Sequence, residues 1–105
     1  MTETIDLSRF RSGKGRVFAG RDRGSVIRNK VSLESIDEAG NEVTISIPDD
    51  VIVVNTSFFL GLFGDSVRRL GASEFRQRYT FIGPIPSEVI TDGIDQAMRE
   101  QSPLS

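Results

Sequence analysis

The hydrophobic period of this chain changes near residue 55, and that change constrains the fold more than any other feature. Residues 42–47 alternate strictly between polar and apolar side chains, which predicts a half-buried β-strand. Beyond residue 55 the spacing becomes helical, because Phe59, Phe63 and Val67 recur every four residues on one face. A strand that leads into an amphipathic helix is typical of α/β architecture.

The same patterns predict elements on both sides of this junction. Predicted strands cover residues 4–9, 16–19, 42–47, 51–54 and 79–82. Predicted helices start at Gly20, follow residue 55 as far as Gly71, and start again after an N-cap at Ser87, with a polar link of one helical turn at residues 73–78. Residues 31–39 fit two alternatives, a continuation of the first helix or a strand of a hairpin that turns at Gly40-Asn41.

This element order predicts one domain over residues 1–105, a small α/β sandwich in which a mixed sheet of four to five strands carries helices on one face. The continuous β-branched run at residues 51–54 predicts a strand end covered on both faces. Gly61 and Gly64 lie inside the predicted amphipathic helix, where glycine is unfavourable. We expect them to mark close packing of that helix on the sheet.

The residue types that are missing exclude much chemistry. The chain has no cysteine and no histidine, which removes thiol nucleophiles, histidine triads and thiolate or imidazole zinc sites. We therefore expect a protein without enzymatic activity, metal or cofactor. Its apolar runs are too short to cross a membrane, and the acidic start, Met1 to Asp6, is unlike a secretory signal. These features favour a cytoplasmic location without membrane association.

Charges alternate in blocks along the chain. Residues 9–30 contain eight basic residues against one acidic residue, and residues 31–65 contain seven acidic residues and no basic residue. The interpretation we favour is that the blocks complement one another within the folded domain, since the isoelectric point near 5.1 is far from that of a dedicated nucleic-acid binder. The alternative is that the stretch from Arg9 to Lys30 binds nucleic acid.

Two groups of residues are candidate functional sites. Arg21 and Arg23 lie at the start of the first predicted helix, where they either present an anion-binding site or pair with nearby acids. Asn55, Thr56 and Ser57 lie where a strand passes into a helix, so any of them is suited to cap that helix. A phosphoryl group on one of these hydroxyls would also be tolerated by the positive helix end. An exposed Phe58 beside them would be a contact residue for a partner.

The segment from Val43 to Phe58, followed by Leu62-Phe63-Gly64, resembles the signature of the STAS-like domain family, relatives of the sulfate-transporter and anti-sigma-factor-antagonist domains. Gly20 to Gly24 resembles the family's entry to its first helix, and the resemblance covers roughly residues 17–100. It departs from the family where Ser46 replaces an acidic residue and where Leu60 and Gly61 replace acids.

The resemblance implies a STAS-like fold and a regulatory protein-interaction module without enzymatic activity, as in bacterial anti-sigma-factor antagonists. The implied partner is an ATP-binding protein of the histidine-kinase-like ATPase class, acting as an anti-sigma factor or a serine/threonine kinase, which would bind at Asn55, Thr56, Ser57 and Phe58. Thr56 aligns with the hydroxyl that antagonists phosphorylate, whereas Asn55 and Phe58 replace the aspartate and glycine beside it. Phosphorylation of Thr56 or Ser57 would then switch partner binding.

Overall fold

The computed structural model describes residues 2–11 and 15–100, which form five strands and five α-helices. The strands are β1 (Thr2–Asp6), β2 (Val17–Phe18), β3 (Glu42–Ser46), β4 (Val53–Val54) and β5 (Tyr79–Ile82). The helices are α1 (Arg21–Val31), α2 (Leu33–Ala39), α3 (Thr56–Leu70), α4 (Ala72–Arg78) and α5 (Ser87–Glu100). The helix predicted after residue 55 and the strand predicted at residues 79–82 are thereby confirmed, whereas β3 and β4 are shorter than the strands predicted at residues 42–47 and 51–54.

The remaining elements differ from prediction in extent. The first strand ends at Asp6, because the side chain of Asp6 accepts a hydrogen bond from the backbone N–H of Ser8 and starts a single 3-10 turn. The link predicted at residues 73–78 is the seven-residue helix α4. Helix α5 begins at Ser87, the residue predicted as its N-cap.

The described strands form two parallel sheets. In the first, β3 lies between β1 and β5, and Ile5, Ile45 and Phe81 stand side by side across it. In the second, the two residues of β2 pair with the two residues of β4. The prediction of one mixed sheet is therefore wrong. Helices connect the successive strands of each sheet, and such crossovers return the chain to the same end of the sheet and make the pairing parallel.

Residues 33–39 are helical, which settles the alternative that the sequence leaves open. Ser32 adopts a left-handed conformation with φ 55° and separates α2 from α1. Leu33 and Asp37, four residues apart, form the buried side of α2. A hairpin at Gly40 cannot form here, because β1 and β5 occupy both edges of β3.

One face of the three-stranded sheet is buried and the other is largely polar. Val43 and Ile45 of β3 and Tyr79 of β5 are buried, whereas Thr44 and Thr80 point to the opposite face. An aromatic cluster covers the buried face, formed by Phe59, Phe63, Phe75, Tyr79 and Phe81 with ring centroids 4.4–6.3 Å apart. The buried apolar residues form one contiguous core. No helix in residues 2–11 and 15–100 is long and apolar enough to cross a membrane.

Gly61 of α3 serves a contact with another helix, and neither Gly61 nor Gly64 marks the sheet contact that we predicted. Helix α3 lies beside α1, and a methyl group on Gly61 would overlap the carbonyl oxygen of Arg21. On the other side of the contact, a methyl group on Gly24 would lie 2.7 Å from the backbone nitrogen of Leu62. Both positions need glycine because the two backbones touch directly. Gly64 faces only the guanidinium of Arg68, at 3.3 Å.

Replacing Gly61 with alanine is expected to lower the free energy of unfolding by about 1–3 kcal/mol, the usual cost of overpacking a tight contact. Gly64→Ala is the matched control in the same helix, since the Arg68 side chain can move and alanine favours helix by about 1 kcal/mol. Urea unfolding, monitored by circular dichroism, gives the free energy of unfolding of both variants. A Gly61→Ala midpoint equal to that of the wild type would contradict the direct backbone contact.

Candidate functional site

The start of α3 is fixed by a side-chain cap. The backbone N–H of Phe58 donates to Oδ1 of Asn55 at 2.9 Å, while the N–H of Asn55 donates to the carbonyl of Phe18 at 3.1 Å. The first bond satisfies one of the free N–H groups at the helix end, and the second ties the cap to β2. Of the three residues suited to cap this helix, Asn55 does so.

The residues around this cap divide between surface and core. Ser57 is exposed, and Thr56 is half-buried. Phe58 is only 1% exposed and packs against Phe18, with ring centroids 5.1 Å apart. Phe58 could serve as a partner contact only if it were exposed beside Thr56, and it is not. Its side chain instead anchors the first turn of α3 in the core.

An exposed apolar surface lies directly before this helix. Val17 of β2 pairs with Val53 of β4, and these two side chains are 44% and 41% exposed, while the neighbouring Ile52 is 69% exposed. We call Val17, Ile52 and Val53 the β2–β4 patch. The prediction that residues 51–54 are covered on both faces is wrong, because only Val51 and Val54 are buried. An unbroken apolar run does not reveal which of its members face solvent.

The candidate anion site at the start of α1 is occupied by internal partners. Arg21 holds Glu100 through two hydrogen bonds of 2.5 and 3.1 Å, and this pairing lowers the pKa of Glu100. Arg23 donates to the carbonyls of Val17 and Phe10 and lies 5.0 Å from the ring centroid of Phe18. The two guanidinium groups thus connect α1 to α5 and to β2, as expected for arginines that pair within the molecule.

Other charges of the basic stretch also find partners inside the domain. Arg11 binds Asp50 through two bonds of 2.7 Å, and these bonds lower the pKa of Asp50 to about 2. Arg28 is buried and faces Asp37 at 3.7 Å. These pairs confirm the predicted complementarity of basic and acidic blocks and leave less of the stretch from Arg9 to Lys30 for nucleic acid. Lys14 lies outside the described residues.

A buried polar network joins α1, α2, α3 and β5. Arg28 donates to the carbonyl of Leu62 at 3.0 Å and to the hydroxyl of Ser66 at 2.8 Å, and Ser66 in turn donates to Asp37. The hydroxyl of Tyr79 donates to Oδ1 of Asp37 at 2.5 Å. Every buried side-chain nitrogen and oxygen of the described chain has a hydrogen-bond partner. A fully satisfied network of this kind fixes the relative positions of the elements that it joins.

The sequence gives no signal for this network. Its members are far apart along the chain, and Asp37 falls in the segment that fits either helix or strand. Burial of the phenol and, as the second cause, its hydrogen bond to Asp37 raise the pKa of Tyr79 well above its ordinary value of 10.0. The network therefore holds Tyr79 as the neutral phenol.

Residues 2–11 and 15–100 contain no group of three or more side chains placed to hold a metal ion. Comparisons of the chain with protein-family models, with curated proteins and with solved structures found no match.

Tyr79 is the only tyrosine, so the ultraviolet absorbance of phenolate reports its ionisation alone. We expect phenolate to form at higher pH in the native chain than in the chain unfolded in urea. Because folding raises this pKa, the stability that the neutral phenol contributes is complete below the ordinary value of 10.0 and is lost as pH rises above it. Equal titration midpoints in the two states would contradict the buried hydrogen bond.

Tyr79→Phe tests the same bond at neutral pH. Removal of the hydroxyl leaves Asp37 with one donor fewer, and we expect the free energy of unfolding to fall by about 1–3 kcal/mol. The difference in free energy of unfolding between the variant and the wild type should narrow above the ordinary tyrosine pKa, since only the wild type has a phenol whose contribution to stability is then lost. Urea titrations at neutral and alkaline pH measure both effects.

Proposed function

We propose that this protein is a regulatory protein-interaction module that binds a partner through the start of α3 together with the β2–β4 patch. The observation that carries the proposal is that the exposed side chains of Ile52 and Val53, the latter paired with the exposed Val17, immediately precede the capped helix whose first turn carries the exposed Ser57. Exposed apolar side chains grouped beside a polar rim are typical of protein interaction surfaces.

The resemblance to the STAS-like family supports the same surface and adds the class of partner. The proposed fold is a STAS-like sandwich, and the proposed partner is an ATP-binding protein of the histidine-kinase-like ATPase class, the kind that anti-sigma-factor antagonists bind. Asn55, Thr56 and Ser57 form the polar part of the surface. Phe58 supports it from below, because its ring is packed against Phe18.

Phosphorylation at this surface would switch the interaction. A phosphoryl group on Thr56 or Ser57 adds about −1.5 to −2 charges at neutral pH and is favoured by the positive helix end. The same charge opposes an apolar contact between a partner and the β2–β4 patch, since the partner would have to remove water from the charged phosphoryl group. The exposed Ser57 is more accessible to a kinase than the half-buried Thr56.

The proposal predicts which variants lose the partner. Tagged wild-type protein is expected to capture one ATP-binding, kinase-like protein from nuclease-treated extracts of its native host. Ile52→Asp is expected to lose this capture because it places a charge on the most exposed apolar side chain of the patch, and Ser57→Glu because it mimics the phosphoryl charge. Mass spectrometry identifies the protein, and calorimetry with the purified pair gives the affinities.

Val26→Asp is the matched control, because Val26 is 51% exposed but lies on α1, outside the β2–β4 patch. It is expected to bind the purified partner with the affinity of the wild type. Equal affinities of the wild type, Ile52→Asp and Ser57→Glu would refute the proposed surface. Retention of nucleic acid before nuclease treatment, with no protein afterwards, would favour the stretch from Arg9 to Lys30 instead.

A further inference from the structure

A polar cleft of about 530 Å³ opens between the second half of α1, the start of α2 and the C-terminal half of α3. It lies away from the β2–β4 patch and has no part in the proposed function. Arg28, which is only 8% exposed, lines it together with Arg69 of α3. The lining also includes the polar residues Asn29, Ser32 and Ser35 and the carboxylates of Glu34 and Asp65.

Arg28 has donors that the fold does not use. Its Nη1 atom is bonded to Leu62 and Ser66, but Nη2 is 3.7 Å from Asp37 and Nε is 3.9 Å from Asp65, which is too far for hydrogen bonds. No fully buried side-chain nitrogen of the described chain lacks a partner. These two nitrogens therefore reach solvent, and the cleft is the opening that Arg28 lines.

Each cleft arginine has two carboxylates within 4 Å, Asp37 and Asp65 beside Arg28 and Glu34 and Glu38 beside Arg69, but at 3.7–3.9 Å none of them is within hydrogen-bond distance. Asp65 is bound closely by Arg68, and Asp37 accepts hydrogen bonds from Tyr79 and Ser66. Glu34, whose side chain is 75% exposed, lies 3.9 Å from Arg69. An oxyanion bonded to a guanidinium at about 2.7–2.9 Å would interact much more strongly than carboxylates at these distances.

The backbone of the cleft also points to a binding role. Ser32 is the only residue with a positive φ, apart from glycines, in residues 2–11 and 15–100. Glycine is the usual residue in this left-handed position at a helix end. Serine is less favourable there, and residues held in such conformations concentrate at ligand sites. Ser32 lines the cleft.

We infer that this cleft binds a small molecule through an oxyanion, a carboxylate or a phosphate, held by the guanidinium groups of Arg28 and Arg69. A planar fork of donors matches both anions, which is why arginine recognises them in preference to lysine. The hydroxyl and amide groups of Ser32, Ser35 and Asn29 bind the remaining polar atoms of the ligand.

The test is a titration of the isotope-labelled full chain with inorganic phosphate and, separately, with succinate, at constant ionic strength. We expect saturable changes in the amide resonances of Asn29, Ser32 and Ser35. Saturation by phosphate alone assigns the site to phosphate compounds, whereas saturation by succinate assigns it to carboxylates. If neither phosphate nor succinate gives saturable changes in these resonances, the inference is wrong.

The variant Arg69→Gln distinguishes anion binding in the cleft from nonspecific anion binding elsewhere on the surface. Its side chain is 45% exposed, so the variant should fold, which the dispersion of the same spectra verifies. We expect it to weaken anion binding about tenfold or more, the loss of a charge-assisted hydrogen bond. Arg99→Gln, on the exposed surface of α5, removes the same charge outside the cleft and should bind like the wild type. Equal affinities of Arg69→Gln and Arg99→Gln would also overturn the inference.

Discussion

The direct backbone contact between α1 and α3 is the constraint on which the rest of the structure depends. Gly24 and Gly61 lack side chains, so the two helices approach until their backbones touch. Only at this distance does the Arg28 side chain reach the carbonyl of Leu62 and the hydroxyl of Ser66. The contact thus sets the position of a charged group that would otherwise be costly to bury.

From Arg28 the consequences spread to the sheet. Asp37 is fully buried, and it is held by hydroxyl groups from α3 and β5 while Arg28 lies opposite. Removing one partner would leave a buried charge without compensation, so the members depend on each other for their stability. The network therefore makes helix packing and strand position interdependent. It also leaves two donor nitrogens of Arg28 facing the cleft.

The two proposed sites use opposite properties of the same scaffold. At the start of α3, capping by Asn55 and the buried ring of Phe58 hold a surface whose neighbouring side chains are apolar. At the cleft, the glycine contact holds a guanidinium whose surroundings are polar. Both sites include residues of α3, which is buried along most of its length.

The sequence by itself determined the elements whose pattern is local. The alternation at residues 42–47, the four-residue spacing of Phe59 and Phe63, and a capping residue at Asn55 all act through near neighbours. Only the tertiary structure decided the parallel pairing in two sheets, the helical state of residues 33–39 and the exposure of Ile52. These depend on which distant segments occupy each strand edge and cover each side chain. The partners of buried charges were decided in the same way, since Arg28 and Asp37 meet only after the helices have packed.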